Sequence, residues 1–173
     1  FYMNAEKAKK LAVDALEMAQ AAIKSSSADE TEVVVSASDS ALTRFANSQI
    51  HQNNFERNAN ITVRAAMGKR VAKASGNILS KEGLQTVVND ACALAKLAAE
   101  DDNWAGLPEG DFQYPIKVDF FENTAQVKPA ERAAALKEVF DTAGSAYEAA
   151  GTLSNSVITM VVANSHGVKA FCN

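Results

Sequence analysis

A chain of 173 residues, 47% hydrophobic and 22% charged, has the balance of an ordinary globular protein long enough to bury a real core. With 17 Lys and Arg against 21 Asp and Glu, the net charge is −4, which speaks against a nucleic-acid binder built on a basic stripe of phosphate contacts. No apolar run approaches the ~20 residues of a membrane span, and two distant cysteines, Cys92 and Cys172, suggest no disulfide framework.

The chain opens with a helical pattern. Asn4 is a candidate cap, Glu6 lies in the first turn, and Ala8, Leu11, Ala12, Ala15, Leu16, Ala19, Ala22 and Ile23 form one apolar stripe. This segment is rich in Lys and Glu and has no signal-peptide core, so a reducing cytoplasm is the expected compartment. Ser25 to Asp29 breaks the helix. Thr31 to Ser38, rich in Val, reads as a first strand, and Asp39-Ser40 as a turn.

The stretch from Ala41 to Asn77 alternates with the strand period of two, first around Thr43 and Phe45 and again through Ile61, Val63, Ala65 and Met67. Gly68-Lys69 stands between two strand patterns and suits a two-residue II′ hairpin. Burying an unpaired guanidinium costs several kcal/mol, whereas a buried Phe or Ile contributes about 1.5–3 kcal/mol. The odd-numbered residues therefore face the core, and Arg44 and Arg64 lie on the opposite, open face. Asn47, His51 and Gln52 fall in the least apolar part of the stretch. Arg, Asn and Gln can donate to the carbonyls of an extended chain, and Arg can hold a carboxylate through two bonds. Arg44, Asn47, His51, Gln52 and Arg64 are thus candidates for contact with a peptide or a partner. The plain alternative is a solvated sheet surface.

Ser80 caps a second helix whose expected stripe is Leu84, Val87, Val88, Ala91, Leu94, Ala95 and Ala98, with Cys92 as a small core residue. Gly83 weakens its first turn by up to ~1 kcal/mol, and Glu100-Asp101-Asp102 places unfavourable charge at its end. Residues 103–110 read as a loop pinned by Trp104 and Leu107. Tyr114 to Phe120 is a strand or an extended connection. Pro129 opens a third helix with the stripe Ala133, Leu136, Val139, Phe140, Ala143 and Tyr147. Val157–Ala163 and Val168–Cys172 flank the turn Asn164-Ser165-His166-Gly167. The order is one helix, about four strands, two helices and a β-hairpin. Strands grouped apart from helices imply an α+β fold, a mainly antiparallel sheet with helices packed on one face, as one domain over 1–173.

Signals for chemistry are thin. The chain has two histidines, and nothing shows the paired spacing of a zinc site. A set made from His51, His166 and Cys172 has no spacing to recommend it. No Gly-x-Ser-x-Gly elbow, P-loop or dinucleotide fingerprint occurs. No catalytic residue, metal ligand or cofactor is expected within these residues.

The runs LTRFANSQIHQ (42–52), GKRVAKASGN (68–77), LSKEGL (79–84), GLP (106–108) and VANSHG (162–167), in that order and spacing, resemble the N-terminal domain of the TldD/PmbA family. These are the "modulator of DNA gyrase" proteins, regarded as metallopeptidases. The resemblance implies the N-terminal part of a cytoplasmic metallopeptidase acting on small or unfolded peptides. This domain would help build a homodimer or heterodimer and wall the substrate cavity. Zinc would be held elsewhere, by a His-Glu-x-x-x-His motif and a cysteine in a C-terminal domain. The alternative is a non-catalytic PmbA-like subunit that pairs with a catalytic TldD-like one, and TRFANSQIHQ and DDNWAGLP lean that way. Direct contact with nucleic acid or membrane is not expected in either case. The last residues, Cys172-Asn173, fall within a strand pattern, as in a truncated chain.

Overall fold

The computed structural model describes residues 4–110 and 120–173. In chain order they form α1 (Ala5–Lys24), β1 (Glu30–Ala46), β2 (Gln49–Met67), β3 (Arg70–Gly76), α2 (Lys81–Leu97), α3 (Glu122–Ala125), α4 (Pro129–Ala143), β4 (Gly151–Asn164) and β5 (Lys169–Cys172). The strands make one sheet in the order β3-β2-β1-β4-β5, with β2/β3 and β4/β5 antiparallel. The α+β class follows as expected. The element count differs in two respects: a short helix, α3, stands between the two expected helices, and three strands, not about four, precede α2, because β1 runs straight through Asp39-Ser40. Asp39 is only 5% exposed, and its carboxylate accepts from Arg57 Nε at 2.7 Å and Nη2 at 2.6 Å. A turn former can remain inside a strand when its charge is matched in this way. Of the undecided segment from Tyr114 to Phe120, residues 114–119 lie outside the described residues. No helix among the described residues is long and apolar enough to cross a membrane.

The chain divides into two compact units. The larger comprises Glu6–Ala37, Asn58–Asp119 and Ile158–Asn173. Its core joins the alanine stripe of α1 (Ala12, Ala15, Ala19, Ala22) to Val33 and Val35 of β1, Ile61, Val63 and Ala65 of β2, and Val161 and Ala163 of β4. A face of alanines lets a helix lie close to a sheet, because nothing longer than a methyl group holds them apart. From α2, Leu84, Val87, Val88, Ala91, Cys92 and Ala95 enter the same core. Leu94, expected on that stripe, is 48% exposed. Ser80 caps α2 by accepting from Gly83 N at 3.1 Å. Gly83 is required here: a Cβ at this position would collide with the Ile78 carbonyl, so close packing calls for the residue that helix propensity disfavours. The acidic end of α2 is also resolved by partners, since Lys69 pairs with Asp102 at 2.9 Å and Arg70 with Glu100 at 3.6 Å. The β2/β3 turn has Gly68 at φ 57 with no positive φ at Lys69, the signature of the II′ hairpin.

The smaller unit comprises Ser38–Arg57 and Phe120–Val157, with the first residues of the chain. Ala41, Thr43, Ala125, Arg132, Leu136 and Val157 are buried in it. The third expected helix is present as α4 and ends at Ala143, so Tyr147 lies beyond it. Leu136 of the expected stripe is buried and Val139 is 48% exposed, while Arg132, which is not on that stripe, is only 2% exposed. Apolar periodicity cannot find Arg132, because it is a cation.

Candidate functional site

The turn that joins β1 to β2 is Asn47-Ser48, with φ of 50° and 54°. Positive φ at both central residues is the I′ geometry, whose twist matches that of the flanking strands. Asn tolerates it well; Ser does so with help from outside the turn. Ser48 N donates to Ala149 O at 2.9 Å, and Ala149 N donates back to Ser48 Oγ at 3.1 Å. Just inside the tip, the half-buried Phe45 ring meets Phe140 edge-on, 5.5 Å between centroids, and a Cβ at Gly151 would crowd the same ring. The tip is thus held firmly from one side.

Arg44, Asn47, His51 and Gln52 gather on this hairpin tip, and all four are exposed. His51 Nε2 donates to the Ala46 carbonyl at 3.0 Å, which orients the ring and leaves Nδ1 as an acceptor. Gln52 Nε2 donates to Asn54 Oδ1 at 3.1 Å. The tip therefore offers a guanidinium, two amides and an imidazole on a rigid support, a donor-rich surface suited to carbonyl and carboxylate groups.

Arg64 belongs to the larger unit and has a different setting. Its Nη1 lies 3.6 Å from Glu32 Oε1, and its guanidinium sits 6.0 Å from the centroid of the Trp104 ring. The face expected to be open around Arg64 is partly shielded by the loop that follows α2, and the Arg64 side chain remains 31% exposed. That loop is fastened by Glu30, which accepts from Trp104 Nε1 at 3.2 Å and from Leu107 N at 2.5 Å. His166 adds a second fastening: Nε2 is 3.5 Å from Glu30 and Nδ1 is 3.1 Å from Glu109. Asn164 Nδ2 donates to Pro108 O at 2.9 Å, while its Oδ1 takes the His166 and Val168 amides. The GLP and VANSHG runs, 56 residues apart at these two atoms, therefore meet as one fastening.

His51 lies in the smaller unit and His166 in the larger. Among the described residues no group of three or more His, Cys, Asp or Glu side chains is placed to hold a metal ion. The sequence reading missed Arg132, which is 2% exposed and hydrogen-bonded on three sides. Its only sequence signal is a position one helical turn before Leu136, and an Arg there ordinarily marks a solvated face.

Residues 31–95 match the family described as PmbA/TldA metallopeptidase domain 1. The whole chain is similar in structure to TldE from Thermococcus kodakarensis, with TM-score 0.75 and 21% identity over 97% of this chain and 36% of that one. It is similar also to a proposed modulator of DNA gyrase from Bacteroides thetaiotaomicron, with TM-score 0.73 and 16% identity over 96% of this chain and 38% of that one. A proposed gyrase modulator from Thermotoga maritima gives TM-score 0.66 and 12% identity, over 94% and 36%. At these identities the likeness establishes the fold. This chain spans little more than a third of the solved chains it resembles. No curated protein matches it.

Proposed function

We propose that the chain, whose residues 31–95 match the family described as PmbA/TldA metallopeptidase domain 1, is a TldD/PmbA N-terminal domain and serves a cytoplasmic metallopeptidase that cleaves small or unfolded peptides. In this reading the chain contributes contact surface and a wall of the substrate cavity, within a homodimer or a heterodimer of family members. Zinc and the hydrolytic chemistry belong to a separate C-terminal domain. The observation that carries the reading is the match to a metallopeptidase first domain. The donor-rich hairpin tip supports a role in contact: Arg44, Asn47, His51 and Gln52 can meet the backbone of an extended chain without reading its side chains. An acidic chain is a poor ligand for duplex DNA, so direct contact with DNA is not part of the proposal.

The test compares the 173-residue chain with a full-length parent, both supplied with zinc, on an unstructured peptide. The full-length protein should cleave it in a chelator-sensitive way, and the chain alone should not. Cleavage by the chain alone, lost in His51→Ala or His166→Ala, would overturn the division of labour. The second reading, a non-catalytic PmbA-like subunit, is favoured by the TRFANSQIHQ and DDNWAGLP runs. It predicts a full-length protein that is inactive alone and active only with a TldD-like partner.

A further inference from the structure

Two charged side chains are buried in the smaller unit. Asp39 is matched by Arg57. Arg132, 2% exposed, has no such match among the described residues. Its Nε donates to Thr43 Oγ1 at 2.9 Å, and its Nη1 donates to Val127 O at 3.0 Å and Asn155 Oδ1 at 2.9 Å. Thr43 Oγ1 donates its own hydrogen bond to Asn53 Oδ1 at 2.5 Å, so its lone pairs are turned toward the guanidinium. These partners are all neutral, and among the described residues no carboxylate pairs with Arg132. Dipoles orient a buried cation but leave its charge uncompensated, a costly arrangement for a purely structural residue. A Met or Leu would fill the same space at less expense.

The remaining nitrogen, Nη2, takes no partner among the described residues, yet it is not sealed away as an orphaned buried donor. Arg132 lines a pocket of about 330 Å³ together with Asn123, Thr124, Val127, Leu153 and Asn155. That volume is at the small end of ligand pockets. Its lining has amide and hydroxyl groups beside two aliphatic side chains. Glu131 stands on the same pocket and keeps its charge there; its Oε2 accepts from the Lys128 amide at 2.6 Å, and among the described residues it makes no ion pair with Arg132.

We propose that the pocket over Arg132 binds the carboxylate of a small apolar acid or of a peptide C-terminus, with Arg132 Nη2 as the anchoring donor. The carboxylate supplies the direct ion pair that Arg132 lacks among the described residues. Val127 and Leu153 receive the aliphatic part, and Asn123 lines the same pocket for an adjoining amide; Asn155 is already engaged, its Oδ1 by Arg132 and its Nδ2 by Thr124 O at 3.0 Å. Specificity for charge over shape follows, because the neutral amide of the same acid would leave the guanidinium uncompensated. The proposal stands apart from peptidase chemistry and from the hairpin tip.

Isothermal titration of the 173-residue chain with N-acetyl-leucine and with N-acetyl-leucinamide tests it. The acid should bind saturably, and the amide should bind at least about tenfold more weakly, as expected for a charge-assisted hydrogen bond. An acetylated tetrapeptide ending in leucine separates the two sources: tighter binding than N-acetyl-leucine identifies a chain terminus, and weaker binding a free acid. Ala135→Trp, at an exposed helix position lining the same pocket, should fill the space and abolish binding while the chain still melts cooperatively. Leu153→Trp makes the same test from β4. Equal affinity for acid and amide overturns the proposal. So does the absence of saturable binding, or binding that survives both tryptophan substitutions in folded protein.

Discussion

Replacing Ile61 by Ala tests the placement of the sheet. Ile61 is fully buried in the larger unit's core, in register with Gly76 of β3. The substitution removes three carbons, worth about 0.8 kcal/mol each in transfer, or about 2.4 kcal/mol together. A residual cavity of roughly 50 Å³ adds about 1.2 kcal/mol at about 24 cal/mol per Å³. The expected loss is therefore about 3.5 kcal/mol, a large share of the 5–15 kcal/mol typical of a native protein. Thr62 is the internal control. It lies one residue on, partly exposed, with its hydroxyl 3.1 Å from Ser75 Oγ and from Asn60 Nδ2. Thr62→Ala should cost at most about 1 kcal/mol, the scale of a hydrogen bond open to water. Urea denaturation followed by circular dichroism reads both from the midpoints at an unchanged slope. If the two variants lose similar stability, or if Ile61→Ala loses less than about 1 kcal/mol, the assignment of odd residues to the core is wrong.

Arg44→Ala, at an exposed position of the hairpin tip, should change stability by no more than about 0.5 kcal/mol; in a full-length parent it should weaken peptide turnover or dimer formation, read by cleavage rate and sedimentation. Glu30→Ala removes the acceptor of Trp104 Nε1 and the Leu107 amide, so the emission of the single tryptophan should shift to the red while the far-ultraviolet spectrum is kept; an unmoved spectrum would show that Glu30 does not fasten the loop. At the start of α2, the Glu82 amide and then the Ser80 hydroxyl hold the Glu82 carboxylate below its usual range. A depressed carboxylate stabilises the fold above its ordinary pKa and loses that contribution as pH falls through the lowered value. Ser80→Ala should cost about 1 kcal/mol near neutral pH, raise the Glu82 pKa in a carbon-detected titration, and shrink the acid-dependent part of the stability.

Regular elements with strong periodicity were legible from the chain alone. The alanine stripe of α1, the Ser80 cap of α2, the II′ hairpin at Gly68-Lys69 and the odd-numbered core of β2 all follow from local rules. Those rules act over a few residues: 3.6 or 2 residues per repeat, one cap, one turn with positive φ. The runs that resemble the TldD/PmbA family were legible too, although not why they are needed. Gly83 looked like a cost in a helix and proves to be where the Ile78 backbone must pass. GLP and VANSHG were separate runs until Asn164 met Pro108.

What the tertiary structure decided is where charge could be hidden. Asp39 looked like a turn and became part of a long strand because Arg57, 18 residues on, reaches it. Arg64 looked open and is only partly so, because Glu32 and Trp104 come to it from different parts of the chain. Arg132, which no sequence pattern singled out, is the innermost residue of α4 beside the expected Leu136, with Thr43, 89 residues away, oriented to receive it. A charged side chain is buried or exposed according to the partners that long-range packing delivers, and those partners have no local period. The sequence by itself determined which segments are helix or strand and which face of the sheet is apolar; only the fold decided the neighbours that allow a cation to lie inside.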